Sequence, residues 1–114
     1  MQFRGEKIDS ESLKIIFAGD FIPPESDTCI YSDDLMEVLA DKDFSIVNLE
    51  CSLTESNKYI NKNGVHIKRA PKYISHIKQG QFNAVCLSNN HIRDFNDTGV
   101  LDTIKTCKNN GIQY

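Results

Sequence analysis

Residues 13–20 read Leu-Lys-Ile-Ile-Phe-Ala-Gly-Asp, an apolar run with polar residues before it and Gly-Asp after it. Such a run is typical of a buried strand, here predicted over 13–18. Two later runs have the same design: FSIV at 44–47 precedes Asn-Leu-Glu, and AVCLS at 84–88 precedes Asn-Asn-His. Ligand sites of open α/β sheets form at the carboxyl ends of strands. The three segments therefore predict one shared site, with residue types that suit a hard divalent metal and an anionic substrate.

Helical patterns alternate with these strands. Ser32 is a suitable N-cap for a helix over 33–40, Pro71 suits the first position of a second helix, and apolar residues recur at helical spacing over 100–107. Residues 112–114 have the pattern of a strand that is beginning. The alternation predicts an α/β fold with a mostly parallel sheet, flanking helices and right-handed crossovers.

Composition limits the organisation and the partners. The 114 residues allow one domain at most, and we expect a polar segment over 1–12 and a domain over 13–114 that is truncated at its C-terminus. The net charge of -3 gives no case for nucleic acid. No run is long and apolar enough for a membrane segment or a signal peptide, which predicts a cytoplasmic protein. The four cysteines include no C-x-x-C pair that would indicate a zinc knuckle.

Two carboxylates belong to the predicted site. Asp20 follows Gly19, where the chain can turn sharply and project the side chain into a cleft, although an aspartate there is also a common turn or capping residue. Strand alternation places Asn48 and Glu50 on the same side of the second strand. The alternative for this pair is simple exposure at a strand end.

The segment after the third strand is the most specific local signal. Asn90 offers a carbonyl oxygen to a hard cation, and His91 can act as a ligand, a general acid or a donor to a phosphate oxygen. Asp94 could orient His91 through a hydrogen bond. The alternative is an asparagine-rich turn, beginning at Asn89, that caps the next helix. Together with Asp20 and Glu50, the segment favours the metal interpretation.

Other polar residues are predicted to be ordinary surface groups. His66 lies in an alternating polar segment, and His76 lies on the polar side of a helix. Residues 54–63 are polar and are expected to be a mobile loop. A local basic stretch is expected to be a solvated loop as well; it comprises Lys58, Lys62, Lys68, Arg69 and Lys72.

The chain resembles the CapA family of capsule-synthesis proteins, over about residues 13 to 114. The resemblance rests on IIFAGDFIP, DFSIVNLECSLTE, KRAPKYISHIKQGQFNAVCLSNNHIRDF and GVLDTIKTCKNNGI. That family is associated with poly-gamma-glutamate production and belongs to the calcineurin-like metallophosphoesterase superfamily. The resemblance implies the N-terminal half of a metallophosphoesterase-like α/β/β/α sandwich.

The resemblance also implies roles for individual residues. It makes Asp20 the first metal-binding aspartate, Glu50 the acidic residue that bridges two metals, and Asn90 the holder of the second metal. It places His91 at the phosphate as the catalytic histidine and makes Asp94 structural. Asn48 and Asn89 are expected to position the ligands. The cofactors would be divalent ions of manganese, iron, zinc or magnesium.

Two departures from the family pattern accompany this resemblance. Phe21 and Ile22 stand where the superfamily has the rest of an Asp-x-His motif, and Pro23-Pro24 replaces a Gly-Arg. The family's further histidines lie in a second half that does not match any residue here. We therefore expect the isolated chain to be inactive or nearly so.

Two functions follow as expectations. The first is a capsule or poly-gamma-glutamate synthesis protein with a metal-dependent phosphoesterase site, acting on a phosphate-containing small molecule or an anionic polymer. The second is a non-catalytic module on the same fold that binds an acidic polymer or a capsule-synthase partner. Association with the cell envelope through such partners is the alternative to a cytoplasmic location.

Overall fold

The computed structural model describes residues 12–114, so the predicted polar segment over 1–12 lies almost wholly outside the described residues. Helices separate the three strands of the main sheet along the described chain, which confirms the predicted α/β class. The elements are β1 (Ile15–Phe21), α1 (Asp33–Ala40), β2 (Phe44–Leu49), β3 (Ser52–Leu53), β4 (Lys68–Arg69), a 3-10 turn (Pro71–Ile74), α2 (Ser75–Gln79), β5 (Ala84–Cys86) and α3 (Asn96–Asn109).

The main sheet has the order β1-β2-β5, and both strand pairs are parallel. The three predicted polar strand ends therefore meet at one edge. Gln113 forms a parallel bridge to Ala84, as expected for the start of a further strand after α3. The short strand β3 follows β2 directly and pairs in parallel with β4 in a separate small sheet.

The helices begin and end close to the predicted positions. Ser32 caps α1, because its hydroxyl accepts a hydrogen bond from the Leu35 backbone N–H at 3.3 Å. Pro71 opens a 3-10 turn that continues directly into α2. None of the helices in residues 12–114 has the length and apolar character needed to cross a bilayer.

The core lies on one side of the sheet. Its fully buried side chains come from elements that include β2, β3, α2 and α3; among them are Leu49, Leu53, Ile77 and Cys107. Alternate residues of β2 are buried, which is the burial pattern of a strand with one covered face. The covered face fixes the register of the sheet, because a slip of one residue would move its apolar side chains into water.

The prediction that residues 13–18 form a buried strand was wrong about burial. β1 is an edge strand, and Ile15 and Phe17 are 49% and 75% exposed. These side chains lie on the opposite face of the sheet from the core, beside Phe44 and Ile46 of β2. Parallel sheets are usually covered on both faces. Within the described residues, this face is left open.

Gly19 lies inside β1 and does not end the strand as predicted. The register between β1 and β2 skips at this point, because Ala18 pairs with Val47 whereas Asp20 pairs with Asn48. The extra residue is a β-bulge, and bulges re-aim the side chains that follow them. Without it, Asp20 would lie on the same face as Ala18. The bulge brings Asp20 to the face of Asn48.

Candidate functional site

A chain of hydrogen bonds joins the carboxyl ends of β1, β2 and β5. The Asn48 amide Nδ2 donates to Asp20 Oδ1 at 2.6 Å. The Asn89 amide Nδ2 donates to Asn48 Oδ1 at 3.0 Å and to the Leu49 carbonyl at 2.9 Å. Asn48 therefore lies between a residue from each neighbouring strand end. This geometry fits the positioning roles that the sequence predicts for Asn48 and Asn89.

Asn89 also shapes the loop that carries the next two candidate residues. Its Oδ1 accepts hydrogen bonds from the backbone N–H groups of His91 and Ile92, at 3.1 and 3.0 Å. An asparagine that accepts from the backbone two residues ahead forms an Asx turn. The predicted asparagine-rich turn is thus present, but it does not cap the next helix, because the N-cap of α3 is Phe95 and no side chain of the described residues caps this helix. The turn coexists with the candidate site, since it sets Asn90 and His91 at the end of β5.

Glu50 lies at the same edge, one residue beyond β2. Its backbone N–H donates to the Phe21 carbonyl at 3.0 Å, so the ends of β1 and β2 are joined there as well. Glu50 is half-buried, whereas Asp20 and Asn90 are exposed. The structure therefore brings the three predicted metal-binding residues to one edge of the sheet, where their side chains are accessible to solutes.

His91 is held by Asp94, the carboxylate that the sequence predicts as its partner. Nδ1 of His91 lies 2.8 Å from Asp94 Oδ2. Because an ionised carboxylate can only accept, Nδ1 carries the proton and donates to Asp94. The bond fixes the ring orientation and leaves Nε2 for a ligand. The His91 side chain is 13% exposed, so its reach to solvent is narrow.

Asp94 is fully buried and accepts from three groups. Besides His91, these are the Lys62 ammonium and the backbone N–H of Ile67, which lies 2.8 Å from Oδ2. Burial acts to raise the pKa of Asp94, but the hydrogen bonds from Lys62, His91 and Ile67 outweigh it and lower that pKa below its usual range. Asp94 therefore stays ionised as the acceptor for His91.

Sequence reasoning missed the part played by Lys62. The segment over 54–63 was predicted to be a mobile loop, but Thr54 is buried and the Ile60 backbone N–H donates to the Asp94 carbonyl at 3.0 Å. Lys62 lies 32 residues from Asp94 in the chain. No local pattern signals a pair at that separation, because the loop has neither helical nor strand periodicity.

Residues 14–114 match the model of a protein family described as bacterial capsule synthesis protein PGA_cap. The match covers nearly the whole chain and all of the strand ends described above. This chain belongs to that family. A search of curated proteins gave no significant match. The family match confirms the resemblance to capsule-synthesis proteins on which the expectations for function rest.

The candidate metal ligands of this PGA_cap protein are of the chemical type that a hard divalent cation prefers. Asp20, Glu50 and Asn90 offer carboxylate and carbonyl oxygens, which are the ligands that magnesium and manganese prefer. Within residues 12–114, however, no group of three or more His, Cys, Asp and Glu side chains is arranged to hold a metal ion. These residues could therefore supply only part of a coordination shell.

Two predictions about surface groups in this PGA_cap protein were wrong. His76 is fully buried, and its Nε2 lies 2.7 Å from the Ser26 carbonyl in the loop after β1. Several members of the basic stretch have defined partners instead of forming a solvated loop. Lys68 contacts the Ser56 carbonyl at 2.6 Å, and Arg69 contacts the Pro23 carbonyl at 2.6 Å. Both errors arise because the partners are distant in the chain.

Proposed function

We propose that this capsule-synthesis family protein handles a phosphate ester, with a divalent metal bound at the carboxyl edge of its main sheet. The single observation that carries the proposal is the hydrogen-bonded chain Asp20–Asn48–Asn89 across three strand ends. It joins Asp20 to the turn that carries Asn90 and His91, and His91 is oriented by a buried carboxylate. A polymer such as poly-gamma-glutamate, or its precursor, is the proposed end point of this chemistry.

Asp20, Glu50 and Asn90 would hold the metal, which we expect to be manganese, iron, zinc or magnesium. Bound divalent cations would supply Lewis-acid activation of a water and of the phosphoryl oxygens. Oxygen donors of this kind are ordered in advance when other groups fix them, as Asn48 does for Asp20 at 2.6 Å.

His91 would act at the phosphate through Nε2. Its Nδ1–H is committed to Asp94 at 2.8 Å, so only Nε2 can meet a substrate. The Asx turn of Asn89 holds the backbone of His91 in place. A histidine fixed at both the ring and the backbone loses little freedom when it meets a substrate, which is the physical basis of catalytic positioning.

A second candidate function is metal-independent binding of an acidic polymer or a synthase partner. It is favoured by Phe21 and Ile22, which offer no ligand where the superfamily motif has one, and by the partial donor set within residues 12–114. Binding of an anionic polymer that persists in a chelator would favour this function. Binding or turnover that a chelator removes would favour the metal site.

The open face of the main sheet bears on the expectation of a truncated domain. Ile15 and Phe17 are exposed on a parallel sheet, and such sheets are normally covered on both faces. This supports the proposal that further protein completes both the sheet and the coordination shell.

Manganese titration by calorimetry tests the metal site. We expect Glu50→Ala to weaken manganese affinity at least tenfold, since it removes a charged oxygen ligand. Glu55→Ala is the matched control, because Glu55 is an exposed carboxylate on the segment that follows. Equal manganese affinity in the wild type and Glu50→Ala would remove Glu50 from the site.

A further inference from the structure

Arg69 is a partly buried cation whose counter-ion among the described residues is a single, mostly exposed carboxylate. Its side chain is 26% exposed, and the carboxylate of Glu25 lies 3.7 Å from Nη1. Glu25 is itself 67% exposed, and long ion pairs at the surface contribute little. Removing a charge from water is unfavourable unless another charge compensates it. An anion bound at Arg69 would supply that compensation.

Two backbone carbonyls fix the direction of the Arg69 guanidinium. Nε donates to the Pro23 carbonyl at 2.6 Å, and Nη1 donates to the Lys68 carbonyl at 2.7 Å. The guanidinium has five N–H donors in a planar fork. Within residues 12–114, Nη2 makes no hydrogen bond, so it keeps donors for a ligand. Because the fork is already held, little rotational freedom is lost when a ligand binds.

The fixed guanidinium lies beside the candidate metal edge. Pro23 follows the end of β1 closely, and the Phe21 carbonyl accepts from the Glu50 backbone N–H. Arg69 pairs with Leu53 of β3, three residues after Glu50, and the Arg69 carbonyl accepts from the Thr54 backbone N–H at 2.9 Å. Arg69 therefore flanks the edge on its Glu50 side.

We propose that Arg69 binds a phosphate group at the Glu50 side of the candidate site. A guanidinium fork matches the geometry of phosphate oxygens and forms charge-assisted hydrogen bonds with them. The choice of phosphate as the anion rests on the proposed phosphoester function. The presence of an anion site at Arg69 rests on the burial and the contacts of Arg69 alone.

The test is a titration of the chain with inorganic phosphate at constant ionic strength, without metal. Binding is followed by the NMR signals of the Arg69 Nε–H and of the Phe21 and Ile22 backbone amides. We expect a saturable change in chemical shift. Arg69→Lys should weaken phosphate binding about tenfold, because a compact ammonium group replaces the planar guanidinium fork. Lys72→Met is the matched control from the same basic stretch, since Lys72 is 62% exposed. It should change the affinity less than twofold.

Glu25→Gln keeps the proposal falsifiable even if Arg69→Lys does not fold. Glu25 is exposed, so its variant should fold, and removing the nearby carboxylate should tighten phosphate binding at least twofold. A purely structural role for Arg69 predicts no tightening. Phosphate affinities that are equal within twofold in the wild type and Arg69→Lys would overturn the proposal, as would an unchanged or weaker affinity in Glu25→Gln. Saturable binding of glutamate as tight as that of phosphate would overturn the assignment to phosphate.

These results are separable from a failure of the proposed function. The phosphate titration contains no metal, whereas the manganese titration depends on Glu50 and contains no phosphate. Loss of the Glu50 effect on manganese would remove the metal site and leave Arg69 as an anion site. Loss of the Arg69 effect on phosphate would remove the anion site and leave the metal site intact.

Discussion

Replacing Asp94 should destabilise the protein far more than replacing Asp97, three residues later. Asp94 is fully buried and accepts from Lys62, His91 and the Ile67 backbone. Asp97 is 77% exposed and, among residues 12–114, pairs only with Arg93, at 3.0 Å. The two aspartates thus differ in burial and in partners, while the type of side chain stays constant.

The loss of stability in the Asp94 variants can be judged from the groups that lose their hydrogen-bond acceptor. Asp94→Ala leaves the Lys62 ammonium, which is 22% exposed, without its carboxylate, and it leaves the Ile67 N–H unpaired. Removing one partner of a buried ion pair lowers the free energy of unfolding by about 3–5 kcal/mol. Asp94→Asn keeps one oxygen acceptor, and we expect a loss of about 2 kcal/mol. Asp97→Ala should stay within about 0.5 kcal/mol of the wild type, as exposed pairs do.

The assay is urea unfolding followed by far-ultraviolet circular dichroism, which suits a chain without tryptophan. The low pKa of Asp94 in the folded state adds a second readout. The pKa of Asp94 is lower in the folded state than in the unfolded state, where it is about 3.9, so the ionised group stabilises the protein above that pH. This contribution is lost as the pH falls through the folded-state pKa. The stability difference between wild type and Asp94→Asn should therefore shrink below about pH 4. Equal losses in Asp94→Ala and Asp97→Ala at pH 7 would refute the reasoning.

Three further predictions concern packing and reactivity. Leu53→Ala should reduce the free energy of unfolding by about 3 kcal/mol in urea titrations, because Leu53 is fully buried. Gly80→Ala should destabilise the protein by about 1–3 kcal/mol in thermal melts, since an added Cβ would lie 2.7 Å from the Tyr31 ring. Cys51, whose burial raises its pKa to about 12, should react with a thiol reagent only after unfolding, whereas exposed Cys29 should react in the native protein, as peptide mapping by mass spectrometry would show.

Each of these predictions has a matched control in the chain. Phe17→Ala removes a large apolar side chain that is 75% exposed and should cost far less than Leu53→Ala. Gly19→Ala adds a Cβ with nothing within 4 Å and should be close to neutral. Cys86 is exposed and should react at a rate similar to that of Cys29. If Phe17→Ala cost as much stability as Leu53→Ala, the assignment of the covered face would be wrong. If Gly19→Ala cost as much as Gly80→Ala, the close packing of Gly80 against Tyr31 would be wrong.

Local signals in the sequence were sufficient for the strands of the main sheet and the helices between them, but not for the small β3–β4 pair. The Ser32 cap, the run FSIVNL at 44–49 and the apolar spacing near Cys107 each depend on residues a few positions apart. Backbone preferences, capping and periodicity act over that range, which is why they can be read from one sequence. The clustering of Asp20, Glu50 and Asn90 at one edge was also predictable, because parallel strands align their carboxyl ends.

Only the tertiary structure decided burial and long-range pairing. Nothing local distinguishes an edge strand from a central one, so β1 was predicted to be buried although one of its faces is open. The bulge at Gly19, which brings Asp20 to Asn48, depends on register with a strand 28 residues away. Lys62 meets Asp94 across 32 residues and Arg69 meets Pro23 across 46. The sequence by itself determined which residues form the main strands and which polar residues lie near their carboxyl ends. The packing of distant segments decided which groups these residues meet, because pairing energy depends on distance in space and not along the chain.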